Sequence, residues 1–353
     1  MDHAIPPVDA EAMTRAAERQ GMLTKPGGSL GRLEELSIRL AGMTGRLDPP
    51  LRDAVVFTLA ADHGVADEGV SAYPREVTAQ MVLNFLRGGA AINVLARLAG
   101  ARVVVADLGV DADLPRDPGL RSMKVRRGTA SITRGPAMSR AEAEQAIEAG
   151  RRLVREEAAS GLDVALTGDM GIANTTASAA VICALTGLDA EVVAGRGTGV
   201  DDDGLARKVA AVRRALEVNA GAISHGPMET LTAVGGLEIA GLAGVILEAA
   251  SRRKPVIIDG FISGAAALVA AGIAPESKGY MIASHRSQER GHGAVLERLG
   301  LQPLLDLDLR LGEGTGAALA LPIVRASVAL LNEMATFGEA GVSERGIMSP
   351  ATE

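Results

Sequence analysis

The chain has 353 residues, of which 47% are hydrophobic and 22% are charged, a balance that supports a large folded core and excludes wholesale disorder. Its formal charge of −7 argues against non-specific binding to nucleic acid or to an anionic membrane. Aromatic residues make up only 2% and tryptophan is absent, which argues against stacking platforms for single-stranded nucleic acid.

The single cysteine, Cys183, lies in an apolar run and is expected to be a buried small side chain. One thiol cannot form an internal disulfide, so a reducing, cytoplasmic location is expected. The N-terminus has no basic region followed by an apolar core, so no signal peptide is expected. The most apolar stretch, residues 256–274, is interrupted by Asp259 and three glycines, which predicts a buried strand, a turn and a helix rather than a membrane span.

In chain order, two helices come first, over residues 9–20 and over an apolar stripe through Leu33, Leu36, Leu40 and Met43. Strands and helices then alternate, as in a parallel α/β sheet. Apolar runs predict strands at 54–60, 101–106, 164–166, 191–194, 255–258, 280–283 and 304–307. Helices are predicted at 76–86, 90–99, 139–159, 171–185, 201–219 and 227–250, followed by a closing helix to about residue 337. Residues 110–137 have no clear period and predict a surface loop.

Most of the predicted strands end in glycine and polar residues. These ends are Asp62-His63-Gly64, Gly168-Asp169, Gly195-Arg196-Gly197, Asp259-Gly260, Ser284-His285 and Gly312-Glu313. Because parallel strands place their carboxyl ends at one edge of a sheet, we expect these residues to share an active site. The carboxylates of Asp169 and Glu313 are the best acid–base candidates, although a solvated cap is the ordinary role of a glutamate in a glycine turn.

Residues 164–179 combine a strand, a glycine turn and a helix start. Such a turn makes an anion site, because backbone N–H groups and the helix dipole point at one place. Asn174, Thr175 and Thr176 add side-chain donors in the first turn of the helix. The same pattern also occurs as an ordinary connector in parallel sheets.

Other chemistries have weaker support. There is no Walker A pattern, no zinc-type cluster and no Gly-x-Ser-x-Gly motif. Gly312-x-Gly314-x-x-Ala317 matches the dinucleotide fingerprint, but no strand follows it to complete a βαβ unit. A dinucleotide-binding oxidoreductase and a non-catalytic nucleotide-binding protein therefore remain as alternatives.

Five motifs in order resemble the nicotinate-nucleotide–dimethylbenzimidazole phosphoribosyltransferases, and the resemblance covers nearly the whole chain. They are Thr24-Lys-Pro-Gly-Gly-Ser-Leu-Gly-Arg-Leu-Glu34, Ala61-Asp-His-Gly64, Gly168-Asp-Met-Gly-Ile-Ala-Asn-Thr-Thr176, Asp259-Gly-Phe-Ile-Ser-Gly264 and Leu311-Gly-Glu-Gly-Thr-Gly316. One departure is Asp169, where the family often has glutamate.

The resemblance implies transfer of ribose 5-phosphate from nicotinate mononucleotide to 5,6-dimethylbenzimidazole, which gives α-ribazole 5′-phosphate for the lower loop of cobalamin. Purines or phenols are alternative acceptors. It implies a Rossmann-like parallel domain over residues 49–320 and a small helical domain from residues 1–48 and 321–353. A homodimer without a cofactor or metal is expected, as is the absence of a nucleic-acid partner.

The resemblance also implies roles for particular residues. Glu313 falls where the family's general base sits. The substrate contacts implied by motif are Ser71, Tyr73, Gln80, Asp169, Gly171, Asn174, Thr175, Gly195, Arg196, Gly197, Lys208, Asp259, Ser287, Leu311 and Gly312. Of these, Ser71, Tyr73 and Gln80 belong to the benzimidazole pocket. Gly171, Lys208 and the turn formed by Gly195, Arg196 and Gly197 (the 195–197 turn) belong to the phosphate and ribose site.

Overall fold

A parallel sheet forms the centre of the protein in the computed structural model, which describes residues 4–343. Its strands are β1 (Ala54–Ala61), β2 (Ala101–Gly109), β3 (Leu120–Ser122), β4 (Val164–Met170), β5 (Val256–Ile258) and β6 (Met281–Ala283). Their order across the sheet is β3-β2-β1-β4-β5-β6, and every neighbouring pair is parallel. This confirms the predicted Rossmann-like α/β class.

Helices flank the sheet and alternate with its strands. They are α1 (Ala10–Met22), α2 (Arg32–Thr44), α3 (Val77–Leu86), α4 (Ala91–Ala99), α5 (Arg140–Ser160), α6 (Asn174–Thr186), α7 (Ala190–Val193), α8 (Asp202–Val218), α9 (Ala220–Ile223), α10 (Pro227–Val234), α11 (Leu237–Ser251), α12 (Phe261–Ile273), α13 (His292–Leu299), α14 (Thr315–Glu333) and α15 (Phe337–Ala340). Short 3₁₀ helices cover Gly64–Glu68 and Pro275–Tyr280. Cys183 is buried in α6, as predicted.

Two predicted strands are wrong. Residues 191–194 lie mostly in α7, because the Asp189 side chain accepts a hydrogen bond from Glu191 N and starts a helix there. Residues 304–307 form no strand, and only Leu305 makes an isolated parallel bridge, to His285. The reverse error occurs at β3, a three-residue edge strand inside the segment predicted to be a loop.

The order of the strands creates a switch point between β1 and β4. From β1 the chain moves outward through β2 to β3, and it then returns to the other side of β1 to build β4, β5 and β6. In open α/β sheets ligands bind outside the carboxyl ends of the strands at such a point. A ligand site is therefore expected at the residues that follow β1 and β4.

The described residues divide into two compact units. One contains Leu51–Leu321 with the residues before Val8, and the other contains Val8–Pro50 with the residues from Pro322 onward. Within the second unit, Ala12, Ala16, Ala41 and Leu331 form a small apolar cluster. The predicted two-domain organisation stays a prediction, and its residues 1–3 and 344–353 lie outside the described residues.

Helices α5 and α11 pack with their backbones almost in contact. A Cβ atom placed on Gly150 would lie 1.9 Å from the carbonyl oxygen of Gly241, and one on Gly244 would lie 2.0 Å from that of Ile147. Real Cβ atoms essentially never approach so closely, so only glycine permits this crossing. Helix α11 in turn packs against β1 and β4.

We expect Gly150→Ala to lower the free energy of unfolding by about 1–3 kcal/mol, because the helices must move apart. In an open helix the same substitution would be stabilising by up to about 1 kcal/mol. Gly221→Ala in α9 is the matched control, since nothing lies within 4 Å of a Cβ there. Urea unfolding of both variants measures the difference, and equal stabilities would contradict this account of the crossing.

Among the described helices, α14 is long and apolar enough to cross a membrane by length and composition alone. Half of the tested window is buried inside the protein. Buried helices of folded domains pass the same test, so the helix is weak evidence for a membrane span.

Candidate active site

Glu313 lies in a turn formed by residues 312–314 (the 312–314 turn), which have left-handed backbone with φ values of 80°, 63° and 95°. For a non-glycine residue this conformation costs roughly 1–2 kcal/mol. A Cβ on Gly168 of β4 would lie 2.4 Å from the carbonyl oxygen of Glu313. The hydroxyl of Thr58 on β1 donates to that same oxygen at 3.2 Å. The 312–314 turn therefore rests on β1 and β4 at the switch point.

The carboxylate of Glu313 is buried, with only 5% of the residue exposed. Its Oε2 accepts a hydrogen bond from the backbone N–H of Ile92 at 3.4 Å, in the first turn of α4. Burial raises the pKa of Glu313, and the Ile92 N–H opposes that rise. A carboxylate whose pKa is raised toward neutrality is a better general base than a solvated one.

Asp259 follows β5, and its carboxylate binds backbone N–H groups of the 312–314 turn and of the helix that follows it. Its Oδ2 accepts from Gly314 N at 3.2 Å, and its Oδ1 accepts from Ala317 N at 3.0 Å in the first turn of α14. Burial raises the pKa of Asp259 to about 7, against the lowering effect of these backbone donors. The carboxylate thus joins the end of β5 to the turn that carries Glu313.

We expect Asp259→Ala to lower both turnover and the free energy of unfolding, the latter by about 1–3 kcal/mol, because two buried N–H groups lose their acceptor. Turnover and urea unfolding measured on the same preparation test this. If unfolding is unchanged and nucleotide binding alone weakens, Asp259 contacts substrate directly instead.

Asp169 is buried at the end of β4, beside the 312–314 turn. Its Oδ2 accepts from the amide of Asn174 at 2.9 Å, and a Cβ on Gly312 would lie 3.1 Å from both carboxylate oxygens. Burial raises the pKa of Asp169 well above its ordinary value, and the nearby carboxylates of Asp259 and Glu238 raise it further. Asp169 therefore retains a proton to higher pH than a free carboxyl group.

A buried histidine–glutamate pair lies behind this edge. His63 Nε2 and Glu238 Oε1 are 2.7 Å apart, and both side chains are essentially unexposed. Gly171 passes close by, because a Cβ there would lie 2.4 Å from Ala61 O and 3.4 Å from His63 Nε2. The sequence pattern included His63 among the strand ends but missed Glu238, which lies in the first turn of α11.

Lys208 is almost completely buried, whereas a lysine on a helix is ordinarily exposed to solvent. Its Nζ donates to the hydroxyl of Thr175 at 2.7 Å, in the first turn of α6. Burial lowers the pKa of Lys208 to about 8, and the charge of Glu289 opposes that fall. Two backbone N–H groups at the start of α6 already have local acceptors: Asn174 N donates to Gly171 O, and Thr176 N donates to Ala173 O. The ammonium and hydroxyl are therefore the stronger anion-binding groups here.

The 195–197 turn lies against these groups. A Cβ on Gly197 would lie 2.7 Å from Thr175 Oγ1 and 2.8 Å from Lys208 Nζ. The N–H of Gly197 donates to Glu289 Oε1 at 2.9 Å, and Arg310 donates to the Gly197 carbonyl at 2.8 Å. The structure thus brings Thr175, Lys208 and the 195–197 turn together.

Arg196 and Ser287 flank this group. The guanidinium of Arg196 is turned toward the Val200 carbonyl and the Asp202 carboxylate. The hydroxyl of Ser287 accepts a hydrogen bond from Glu289 N at 3.3 Å. Glu289 itself was missed, although it stands in the polar run that follows β6 and could have been found there.

The residues predicted for the benzimidazole pocket are less buried than the carboxylates described above. Ser71 Oγ is 3.2 Å from Thr198 Oγ1, which ties its loop to the segment after the 195–197 turn. Tyr73 and Leu311 are more than half exposed, and Gln80 is exposed on α3. Among the described residues, no side-chain hydrogen bond joins Tyr73, Gln80 or Leu311 to Glu313. Their grouping into one pocket stays a prediction.

Comparison with known proteins agrees with these motifs. A family model described as "Phosphoribosyltransferase" matches residues 5–342. A protein of Chloroflexus aggregans named nicotinate-nucleotide–dimethylbenzimidazole phosphoribosyltransferase is 62% identical over 341 residues, which cover 97% of this chain and 96% of that protein. This chain belongs to the nicotinate-nucleotide–dimethylbenzimidazole phosphoribosyltransferase family. A Geobacter sulfurreducens protein of the same name is 54% identical over 338 residues, which cover 96% of each chain.

A solved member of the family has the same fold. The crystal structure of the nicotinate-nucleotide–dimethylbenzimidazole phosphoribosyltransferase of Thermus thermophilus matches with a TM-score of 0.91 and 51% identity. The match covers 96% of this chain and 100% of that one. The protein is therefore an enzyme of the phosphoribosyltransferase class, with family likeness along nearly its entire length.

Proposed function

We propose that the protein transfers ribose 5-phosphate from nicotinate mononucleotide to 5,6-dimethylbenzimidazole, giving α-ribazole 5′-phosphate and nicotinate for the lower loop of cobalamin. The observation that best supports this is the buried Glu313 carboxylate, carried by a turn whose main-chain atoms Thr58 and Asp259 hold at the switch point. The nearby Lys208 and Thr175 supply groups for a phosphate. We place the enzyme in the cytoplasm as a homodimer.

The chemistry needs few groups. The nicotinate ring nitrogen is positively charged while it is bonded to the ribose, so the ring leaves as a neutral pyridine nitrogen without a general acid. The incoming benzimidazole must lose its N–H proton as its other nitrogen forms the new bond to the anomeric carbon. Glu313 accepts that proton. Attack from the face opposite the leaving group converts the β anomer to the α anomer.

The environments of the two carboxylates separate their roles. Burial raises the pKa of Asp169 well above its ordinary value, and the nearby carboxylates of Asp259 and Glu238 raise it further. Glu313 accepts a helix N-terminal N–H, which favours its ionised form. Pairs whose pKa values are pushed apart commonly divide acid and base work. We assign Glu313 as the base and Asp169, beside the 312–314 turn, as a residue that positions substrate.

Two alternatives are less well supported. A purine or phenol could replace the benzimidazole, because Tyr73 and Gln80 are exposed and Ser71 is half-buried, which leaves room for other acceptors. An oxidoreductase would need Gly312 and Gly314 to cradle a pyrophosphate. The carboxylate of Asp259 already takes the Gly314 N–H, and Asp169 adds a second acidic group beside Gly312, which disfavours an anion there.

The direct test is incubation with nicotinate mononucleotide and 5,6-dimethylbenzimidazole, followed by chromatography for free nicotinate and the α-riboside. Parallel reactions with a purine and a phenol rank the acceptors. Release of nicotinate without any riboside product would contradict the transfer.

We also expect turnover to persist in EDTA, because the charged leaving group needs no Lewis acid. The same chromatography, run with and without chelator, measures this. Loss of activity that a divalent ion restores would overturn the metal-free mechanism.

A further inference from the structure

Glu289 is a buried carboxylate beside the proposed phosphate site. Only 6% of the residue is exposed. Its Oε1 accepts the Gly197 N–H at 2.9 Å, and its backbone N–H donates to Ser287 Oγ at 3.3 Å. Its Oε2 is buried and has no hydrogen-bond partner among the described residues. A carboxylate beside a phosphate site weakens phosphate binding by charge repulsion. Its presence here therefore calls for a second role that offsets this cost.

The Glu289 carboxylate lies so close to Gly195 that no residue with a side chain fits at position 195. A Cβ on Gly195 would lie 2.1 Å from Glu289 Oε2 and 2.9 Å from Glu289 Cδ. Glycine at this position therefore lets the carboxylate lie directly against the 195–197 turn. The close fit indicates a fixed position for the negative charge.

The nearby Lys208 ammonium is buried, so its positive charge needs a negative charge close by. Its one hydrogen bond among the described contacts goes to the neutral hydroxyl of Thr175. Burial lowers the pKa of Lys208 to about 8, and Glu289 is the group whose charge opposes the loss of its proton. Without that charge, the ammonium would be a neutral amine over more of the physiological range.

The other ionisable groups around the turn do not replace Glu289. Arg310 reaches the Gly197 carbonyl and carries a positive charge. Arg196 is engaged by Asp202. His292 accepts the Ser287 N–H through Nδ1, and burial lowers its pKa to about 3, so it is neutral.

We propose that Glu289 is a positioning residue of the phosphate site, which fixes the 195–197 turn through Gly197 and keeps the Lys208 ammonium charged for the phosphate. This rests on the proposed function, in which Lys208 binds the phosphate of the nucleotide. It assigns a purpose to a carboxylate that would otherwise repel the ligand.

Glu289→Gln separates the two effects, because its amide oxygen can still accept the Gly197 N–H while the charge is lost. The probe is inorganic sulfate, whose charge stays constant between about pH 6 and pH 9, so only protein groups titrate. Below the pKa of Lys208 we expect the variant to bind sulfate as tightly as the wild type or more tightly. At about pH 9, above the pKa of Lys208, we expect it to bind about tenfold more weakly, because a pKa lowered by about one unit leaves about one tenth as much of the ammonium form there.

The crossing of the two pH profiles is the decisive result. A parallel shift at every pH, in either direction, or identical profiles would overturn the proposal. Glu289→Ala, which also loses the acceptor for Gly197, should bind sulfate more weakly at every pH, and urea unfolding of each variant controls for folding. Turnover of nicotinate mononucleotide by the wild type tests the proposed function separately, so the two failures are distinguishable.

Discussion

Replacing Glu313 by glutamine is expected to lower turnover by about 10²- to 10⁴-fold while nucleotide binding is retained, because the substitution keeps the shape and removes the base. This corresponds to roughly 3–5 kcal/mol of activation free energy. The backbone of the 312–314 turn should persist, since Thr58 and Asp259 bind its main-chain atoms rather than the Glu313 carboxylate. The measurement is turnover at saturating nucleotide together with a nucleotide dissociation constant.

The pH profile adds a second test of Glu313. Burial raises the pKa of this carboxyl group above 4.5, so wild-type kcat/KM should fall as the pH drops through that raised value. The glutamine variant should lack this acid limb. Asp169→Asn is the matched control and should cause a smaller loss, because Asp169 is assigned to position substrate and not to take the proton.

Near-normal turnover by Glu313→Gln would reject the assignment. A larger loss at Asp169 would transfer the role of base to that carboxylate. Weakened nucleotide binding in Glu313→Gln would instead indicate that Glu313 contacts the nucleotide in the ground state.

The sequence predicted the sheet well, because its strands carry a local signal. The burial of every residue of β1 matches its continuous apolar run, as expected for a parallel strand covered on both faces. Even the three-residue strands β5 and β6 were found, since glycine and polar residues mark their ends. Edge strand β3, Leu-Arg-Ser, has no such signal, and only its pairing with β2 defines it.

Two site segments reach the ligand edge without the strands that were predicted to carry them. The 195–197 turn follows helix α7, and the 312–314 turn follows irregular chain. That irregular chain runs beside the end of β6 through hydrogen bonds from Arg286 N to Leu305 O and from Gln288 N to Leu309 O. These contacts between distant segments have no signature in local sequence, although the residues they position were identified.

Helix α8 illustrates a different limit. The sequence predicts a helix here, but its apolar residues at helical spacing do not define the buried face. Of Leu205, Val209, Val212 and Leu216, only Val212 is buried. The face that packs inward consists mainly of small residues, and it includes the following buried set: Gly204, Lys208, Ala211, Val212 and Ala215. Small side chains leave room for the stem of a lysine. Hydrophobicity alone would therefore place Lys208 outside the buried face of α8, because that measure favours large apolar residues over small ones.

Replacing Lys208 by methionine is expected to stabilise the protein in the absence of ligands. The pKa of Lys208 falls from 10.5 to about 8 on folding, which costs the charged form roughly 3 kcal/mol. Below about pH 8 the lysine is charged in both the folded and the unfolded chain, so the full cost is present. Between about pH 8 and 10.5 the folded chain releases the proton first, and wild-type stability should rise with pH. Urea unfolding across this range measures both effects.

The same substitution should weaken nucleotide binding by about 10- to 100-fold near neutral pH, because a charge-assisted hydrogen bond to the phosphate is lost. Wild-type affinity should fall above about pH 8, as Lys208 loses its proton, whereas the affinity of the methionine variant should not change there. Lys278→Met is the control, since that lysine is exposed and should alter neither quantity. A structural lysine would give the opposite pair of results, lower stability with unchanged affinity. Higher stability with weaker binding would mean that the protein retains a costly buried charge at this position because the phosphate needs it.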